Sequence, residues 1–143
     1  MLEPVRRTLS IAASPERVLA VIADFEDYPN RQREFESVKI VERDDQERAT
    51  RVEMVTVAAG AKVGSEIAVN YFDDGLEWHL VSGDALTKND ARYVLRQNGE
   101  GTDLDLEMVL GLKLSIPDFM LKPVIAKGVW DALKGIKKAA EGH

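Results

Sequence analysis

The chain has 143 residues, the length of one ordinary domain, and 45% of them are apolar and 31% charged, as in a soluble globular protein. A net charge of −6 argues against a nucleic-acid surface, which needs clustered Lys and Arg to neutralise phosphate. There is no cysteine, so disulfides, thiolate nucleophiles and cysteine-ligated metals are excluded. Residues 1–10 carry Arg6 and Arg7 but no apolar stretch of signal-peptide type, and no apolar run reaches membrane-spanning length. The expectation is a cytoplasmic protein with no integral membrane segment, folded as one domain over 1–143, with no repeat and no linker.

Val5 to Ala12 is short and rich in β-formers and reads as the first strand. Ser14-Pro15-Glu16 then opens a helix: Ser14 can accept from free amides, and Pro15 has no N–H to leave unpaired at the first helical position. Val18, Leu19, Val21 and Ile22 follow at helical spacing, Asp24 to Asp27 interrupts, and Tyr28-Pro29 starts a second short helix running to about Arg33. From Ser37 the period becomes two. Val38 and Ile40 lead to a turn at Asp44-Asp45, and Thr50 to Ala58 is the next strand, broken by Gly60. Ile67, Val69 and Tyr71 alternate in the strand after that. A turn signal at Asp73-Asp74-Gly75 precedes Leu76, Trp78 and Leu80, and Ser82-Gly83-Asp84 turns the chain again. Tyr93 and Leu95 share a face, Asn98-Gly99-Glu100-Gly101 makes a hairpin, and Leu104, Leu106, Met108 and Leu110 alternate with Asp103, Asp105 and Glu107. After Pro117 the period returns to helical from Asp118 to Ala140, through Leu121, Ile125, Val129, Leu133 and Ile136, with Lys134, Lys137 and Lys138 near the C-terminal end of the dipole. Strand, two short helices, about six hairpin-linked strands and one long helix make an α+β protein with an antiparallel sheet, one face covered by the last helix.

This order resembles the helix-grip fold of the START-like, or SRPBCC, superfamily. Ala13-Ser14-Pro15-Glu16-Arg17-Val18 is similar to the opening A-S-P-E-x-V of that family, and Ala23 to Pro29 to its D-x-x-x-Y-P link. Trp78 to Asp84 resembles a strand of the polyketide cyclase/dehydrase branch, Asn98 to Thr102 resembles the G-x-G-T hairpin, and Pro117 before a long helix completes the pattern. In one place the chain departs from it: relatives follow the Tyr-Pro with an acidic and a large apolar residue, whereas here the run is Asn30-Arg31-Gln32-Arg33. The resemblance implies a curved sheet of six or seven strands around the C-terminal helix. It also implies a cavity between them for a small hydrophobic molecule, such as a lipid, isoprenoid or polyketide, bound by a monomer or weak dimer without a cofactor.

The expected ligand-binding set is Tyr28, Val52, Met54, Ile67, Val69, Tyr71, Trp78, Leu80, Tyr93, Leu95, Leu106, Met108, Ile125 and Val129, with Leu76 on the same face. All of these equally suit a filled core. Gly128, mid-helix, fits either a close approach by ligand or sheet or a plain surface position, and Trp130 reads as a packing anchor.

No catalytic constellation emerges. His79 alternates with Trp78 and Leu80 and so faces outward, and the other histidine is the terminal His143, so no metal site is expected. Asp24, Glu26 and Asp27 read as solvated capping residues, and Asp103, Asp105 and Glu107 as a solvated strand face. Arg51 and Glu53 share the face opposite Val52 and Met54. Ser65 lacks a nucleophile elbow, and Gly99 and Gly101 lack the setting of a phosphate loop. An aromatase/cyclase using Tyr28, Tyr71, Tyr93 and Arg51 is the enzymatic alternative. A protein- or ribosome-interaction module is a further one, which the acidic charge disfavours.

Overall fold

The computed structural model describes residues 3–58, 60–113 and 116–142, so His143 lies outside the described residues. Its elements are β1 (Val5–Ile11), α1 (Pro15–Ala23), a single 3-10 turn (Phe25–Asp27), α2 (Tyr28–Arg31), β2 (Phe35–Arg43), β3 (Ala49–Ala58), β4 (Ala61–Phe72), β5 (Gly75–Gly83), β6 (Leu86–Asn98), β7 (Gly101–Leu112) and α3 (Asp118–Ala140). The seven strands form one curved antiparallel sheet in the order β1-β7-β6-β5-β4-β3-β2. Each strand from β2 to β7 pairs with its chain neighbour, and β1 closes onto β7, with Val5 opposite Met108 and Ile11 opposite Thr102.

Local chemistry accounts for the element ends. Ser14 Oγ accepts from the Arg17 N–H at 3.3 Å and caps α1, with Pro15 in the first turn. Asp44 Oδ1 accepts from the backbone N–H groups of Gln46 and Arg48, which closes the β2–β3 turn and holds Glu47 at φ 64°. Asp24 and Glu26 are exposed, but no carboxylate of the acidic trio caps a helix: Asp27 pairs with Arg31 at 3.3 Å and Glu26 with Arg43 at 3.2 Å.

The concave face of the sheet, α1 and α3 share one apolar core. Val18, Ile22 and Phe25 are fully buried, as are Val52, Ile67, Leu76, Leu104 and Leu106 from the sheet and Val129 and Leu133 from α3. Complete burial of a side chain of this kind is worth roughly 1.5–3 kcal/mol. The C-terminal half of α3 is also held by polar contacts. The Arg17 guanidinium donates to the carbonyls of Ala139 and Ala140, which have no acceptor role left inside the helix. The N-terminal half is looser: Phe119 and Met120 are exposed, and Pro123 has no N–H for the Phe119 carbonyl.

Asp105 corrects a reading from alternation. It has the parity of the outer face, yet it is only 5% exposed. Arg96 binds its carboxylate, Thr8 on β1 donates to it, and Arg6 lies 3.5 Å away. The hydrogen bond from Arg96 is the main reason that its carboxyl titrates below the usual range. Closure of β1 onto β7 creates this cluster, and strand periodicity alone carries no information about it.

Candidate functional site

Between the sheet and α3 lies a cleft of about 90 Å³. Met54 on β3, Trp78 on β5, Tyr93 on β6, and Leu106 and Met108 on β7 form its wall, and Ile125 on α3 closes it from above. These are six of the fourteen residues expected from the sequence. Phe35, Leu110 and Ala132 extend the apolar lining, and the partly exposed Val57 and Val124 mark its mouth. A wider depression of about 540 Å³ runs over β2 to β5; it shares Met54 with the cleft, but it is also lined by polar groups such as Lys39, Glu53 and Asp84 and has no aromatic wall.

The other eight expected residues lie elsewhere. Val52, Ile67, Val69, Leu95 and Val129 are buried in the core without lining the cleft. Tyr28 borders a separate crevice of about 10 Å³ beside Arg31, and its hydroxyl donates to the Ile22 carbonyl. Tyr71 is half-buried, donates to the Ala49 carbonyl at 2.8 Å and lies under the Arg48 guanidinium; burial pushes its hydroxyl up to about 12. Leu80 stands opposite the buried Ile67 but is itself half-buried and outside the core cluster; the β5–β6 pairing ends at Trp78, two residues before it. Arg51 pairs with Glu66 on the outer face, and His79 is exposed there beside Glu77. Ser65 is buried and accepts from Asn89, and Trp130 is partly buried against the core. Gly128 lines the cleft, and a Cβ there would meet nothing within 4 Å, so the sheet makes no close approach to it.

Apart from Tyr93, the polar groups of the cleft are ones the sequence did not single out. Asn89 accepts from Trp78 Nε1 at 3.3 Å, fixing the indole, and is itself bonded to Ser65. Its parity with Ala91, Tyr93 and Leu95 was the available signal. Gln32 reaches from the end of α2 to donate to the Gly128 carbonyl at 3.1 Å. The Tyr93 ring is buried, its hydroxyl makes no hydrogen bond among the described residues, and burial raises its titration well above the ordinary tyrosine value.

Glu34 is the unusual member. It lines the cleft, and its Oε2 is buried with no donor in reach. Burial first, and then contact with the Asp131 carboxyl, raises its titration. Asp131 keeps its charge because Lys127 Nζ donates to it at 2.7 Å, while the same nitrogen is 3.7 Å from Glu34. The two carboxyls become a hydrogen-bonded pair only when one carries a proton, and that proton belongs on Glu34. A carboxyl whose folded titration lies above its unfolded value destabilises the fold where it must ionise, so the deficit is present at neutral pH and disappears as pH falls below the unfolded value of about 4.5. Glu34→Gln should therefore raise the melting temperature at pH 7, with the gain shrinking toward pH 4. Equal melting at both pH values in thermal scans would contradict the buried-carboxyl account.

Among the described residues, no group of three or more His, Asp or Glu side chains is arranged to hold a metal ion, and no helix is long and apolar enough to cross a membrane. Residues 11–134 match the model of a family described as polyketide cyclase/dehydrase and lipid transport. A START superfamily protein from Mycobacterium smegmatis superposes with a TM-score of 0.87 at 24% identity, covering 96% of this chain and 97% of that one. A protein from Thermus thermophilus superposes at 0.84 with 26% identity over 96% and 97% of the two chains. The Zhui aromatase/cyclase from Streptomyces sp. R1128 superposes at 0.83 with 18% identity over 99% and 94%. A search of curated protein sequences gives no match.

Proposed function

Because the chain belongs to the polyketide cyclase/dehydrase and lipid transport family, we propose that it binds a small hydrophobic molecule of lipid, isoprenoid or polyketide type between its sheet and α3, as a single-domain monomer or weak dimer. The observation that carries this reading is the cleft itself, whose wall of Met54, Trp78, Tyr93, Leu106 and Met108 meets Ile125 and opens past Val57 and Val124. At about 90 Å³ it holds about three waters' share of liquid volume, against roughly 300–1,000 Å³ for pockets that enclose drug-sized ligands. A larger guest must widen it. The N-terminal half of α3 is the part that can yield, since Pro123 breaks its hydrogen-bond ladder while the C-terminal half is anchored by Leu133, Ile136 and Arg17. Solvent extraction of the purified protein followed by mass spectrometry should release an apolar compound, or the emptied protein should take up an apolar dye. An interior that yields nothing and takes up neither dye nor fatty acid would end the binding reading.

The polar set in the cleft favours one second reading, an aromatase/cyclase. Proton transfer needs a titratable group within hydrogen-bond reach, and Glu34 with Tyr93 supplies an acid/base group and a donor facing the same space. Cyclisation of a linear polyketone that falls in both Glu34→Gln and Tyr93→Phe would support it. Binding of the same compound without turnover leaves a carrier.

A further inference from the structure

Next to the cleft, on the other side of Gln32, runs a surface groove of about 400 Å³ between the Arg31–Arg33 segment and one stripe of α3. The stripe is Lys127, Asp131, Lys134 and Lys138, at spacings that keep them on a single helix face. Gly135 brings the two walls together, since a Cβ there would lie only 3.0 Å from the Arg31 carbonyl oxygen. Five cationic side chains thus line one groove of a chain whose net charge is −6. Lys127 is already paired with Asp131 and Glu34. Arg33, Lys134 and Lys138 have no carboxylate within 4 Å among the described residues.

Arg31 is the independent observation. Its side chain is 10% exposed, its Nη2 donates to the Asp24 carbonyl, its Nε lies 3.3 Å from Asp27, and its guanidinium lies 4.8 Å from the centre of the Tyr28 ring. Its Nη1 is buried with no partner. A buried guanidinium with an unused donor keeps a positive charge beside the groove, and that charge favours an oxyanion lodged among Arg33, Lys134 and Lys138. Arg31 borders both this groove and the small crevice beside Tyr28 and Tyr93, and Gln32 lines groove, crevice and cleft alike. A molecule with its apolar part against Trp78 and Ile125 therefore has a cationic groove one residue away.

We propose that this groove receives the anionic end of the bound molecule, so that the ligand class is an amphipath carrying a phosphate or carboxylate group. The assignment rests on the binding reading of the cleft. It is tested by displacing an apolar dye from the purified protein with dodecyl phosphate, with 1-dodecanol and with inorganic phosphate at low salt. Dodecyl phosphate should bind at least about tenfold more tightly than dodecanol, a difference that one or two charge-assisted hydrogen bonds supply. The double charge reversal Arg33→Glu with Lys134→Glu should bring dodecyl phosphate down to the affinity of dodecanol. Lys39→Glu, the same kind of change on the outer side of β2, should leave the preference in place. If dodecanol displaces the dye and dodecyl phosphate does so no better, or if the preference survives the double reversal, the anionic assignment falls and the cleft reading stands. Competition by inorganic phosphate as strong as by dodecyl phosphate would overturn the amphipath. Displacement by neither amphipath removes the cleft reading and the assignment with it.

Discussion

Gly75→Ala should cost the fold more than about 3 kcal/mol and lower the melting temperature on the order of 10 °C. The position lies at the start of β5 opposite Val94, and the Leu95 N–H donates to the Asp74 carbonyl at 2.7 Å just beside it. A Cβ at Gly75 would lie 1.9 Å from the Tyr93 carbonyl oxygen and 2.9 Å from its carbon. Both are backbone atoms inside a paired strand, so no side-chain rotation relieves the contact and β5 must separate from β6. Gly75 is thus required by close approach rather than by turn geometry: its φ is not positive, and the tight turn is Asp73-Asp74 between Phe72 and Gly75. The same substitution at Gly128 is the control. There a Cβ meets nothing within 4 Å, and removing glycine from a helix interior should add about 0.5–1 kcal/mol. Thermal and urea unfolding of the two variants should therefore move in opposite directions. A loss below about 1 kcal/mol at Gly75 would mean that β5 and β6 slide past each other easily. In that case they would be a poor frame for Trp78, Asn89 and Tyr93.

The contrast between these two glycines shows what could be read from the chain. Period and punctuation identify elements, because a strand repeats every two residues and a helix every 3.6. The five periodic residues of α3, Leu121 to Ile136, are all buried, and Met54, Trp78, Tyr93, Leu106 and Met108 all face the sheet's concave side. What period cannot convey is which strands meet without being consecutive, or where a link between elements passes. The β1–β7 pairing buries Asp105, and the segment after α2 carries Arg31, Gln32 and Glu34 to the edge of the cleft. None of those three has a periodic partner. The departure at Asn30 to Arg33 from the acidic and large apolar residues of relatives is the one trace of Arg31 and Gln32. In the structure the same residues supply the Gln32 bridge to Gly128 and the buried Arg31. Leu80 keeps the alternation of Leu76 and Trp78, opposite Ile67, but the β5–β6 pairing has ended by then, and period cannot say where a strand loses its neighbour.

Trp78→Ala should reduce stability by about 3–5 kcal/mol while increasing the uptake of apolar dyes, and the combination is the informative part. Trp78 is 1% exposed, and its ring centre lies 5.7 Å from that of Phe25, 6.3 Å from Tyr28 and 5.8 Å from Tyr93. Truncation removes all three contacts, and it leaves the Asn89 carbonyl without the indole donor at a buried site. Trp78→Phe retains a ring but not the donor, so it should cost less. The space vacated in the alanine variant adjoins the cleft, because Trp78 forms part of its wall. An enlarged apolar cavity binds apolar guests, and a guest bound only to the folded state restores stability by RT ln(1 + [L]/Kd), about 2.7 kcal/mol at one hundred times Kd. Urea unfolding with and without dye should thus show a larger ligand-induced gain in the alanine variant than in the parent. If stability falls but dye uptake does not rise, the Trp78 pocket is sealed from the mouth at Val57 and Val124, and ligand entry must be sought elsewhere on the sheet.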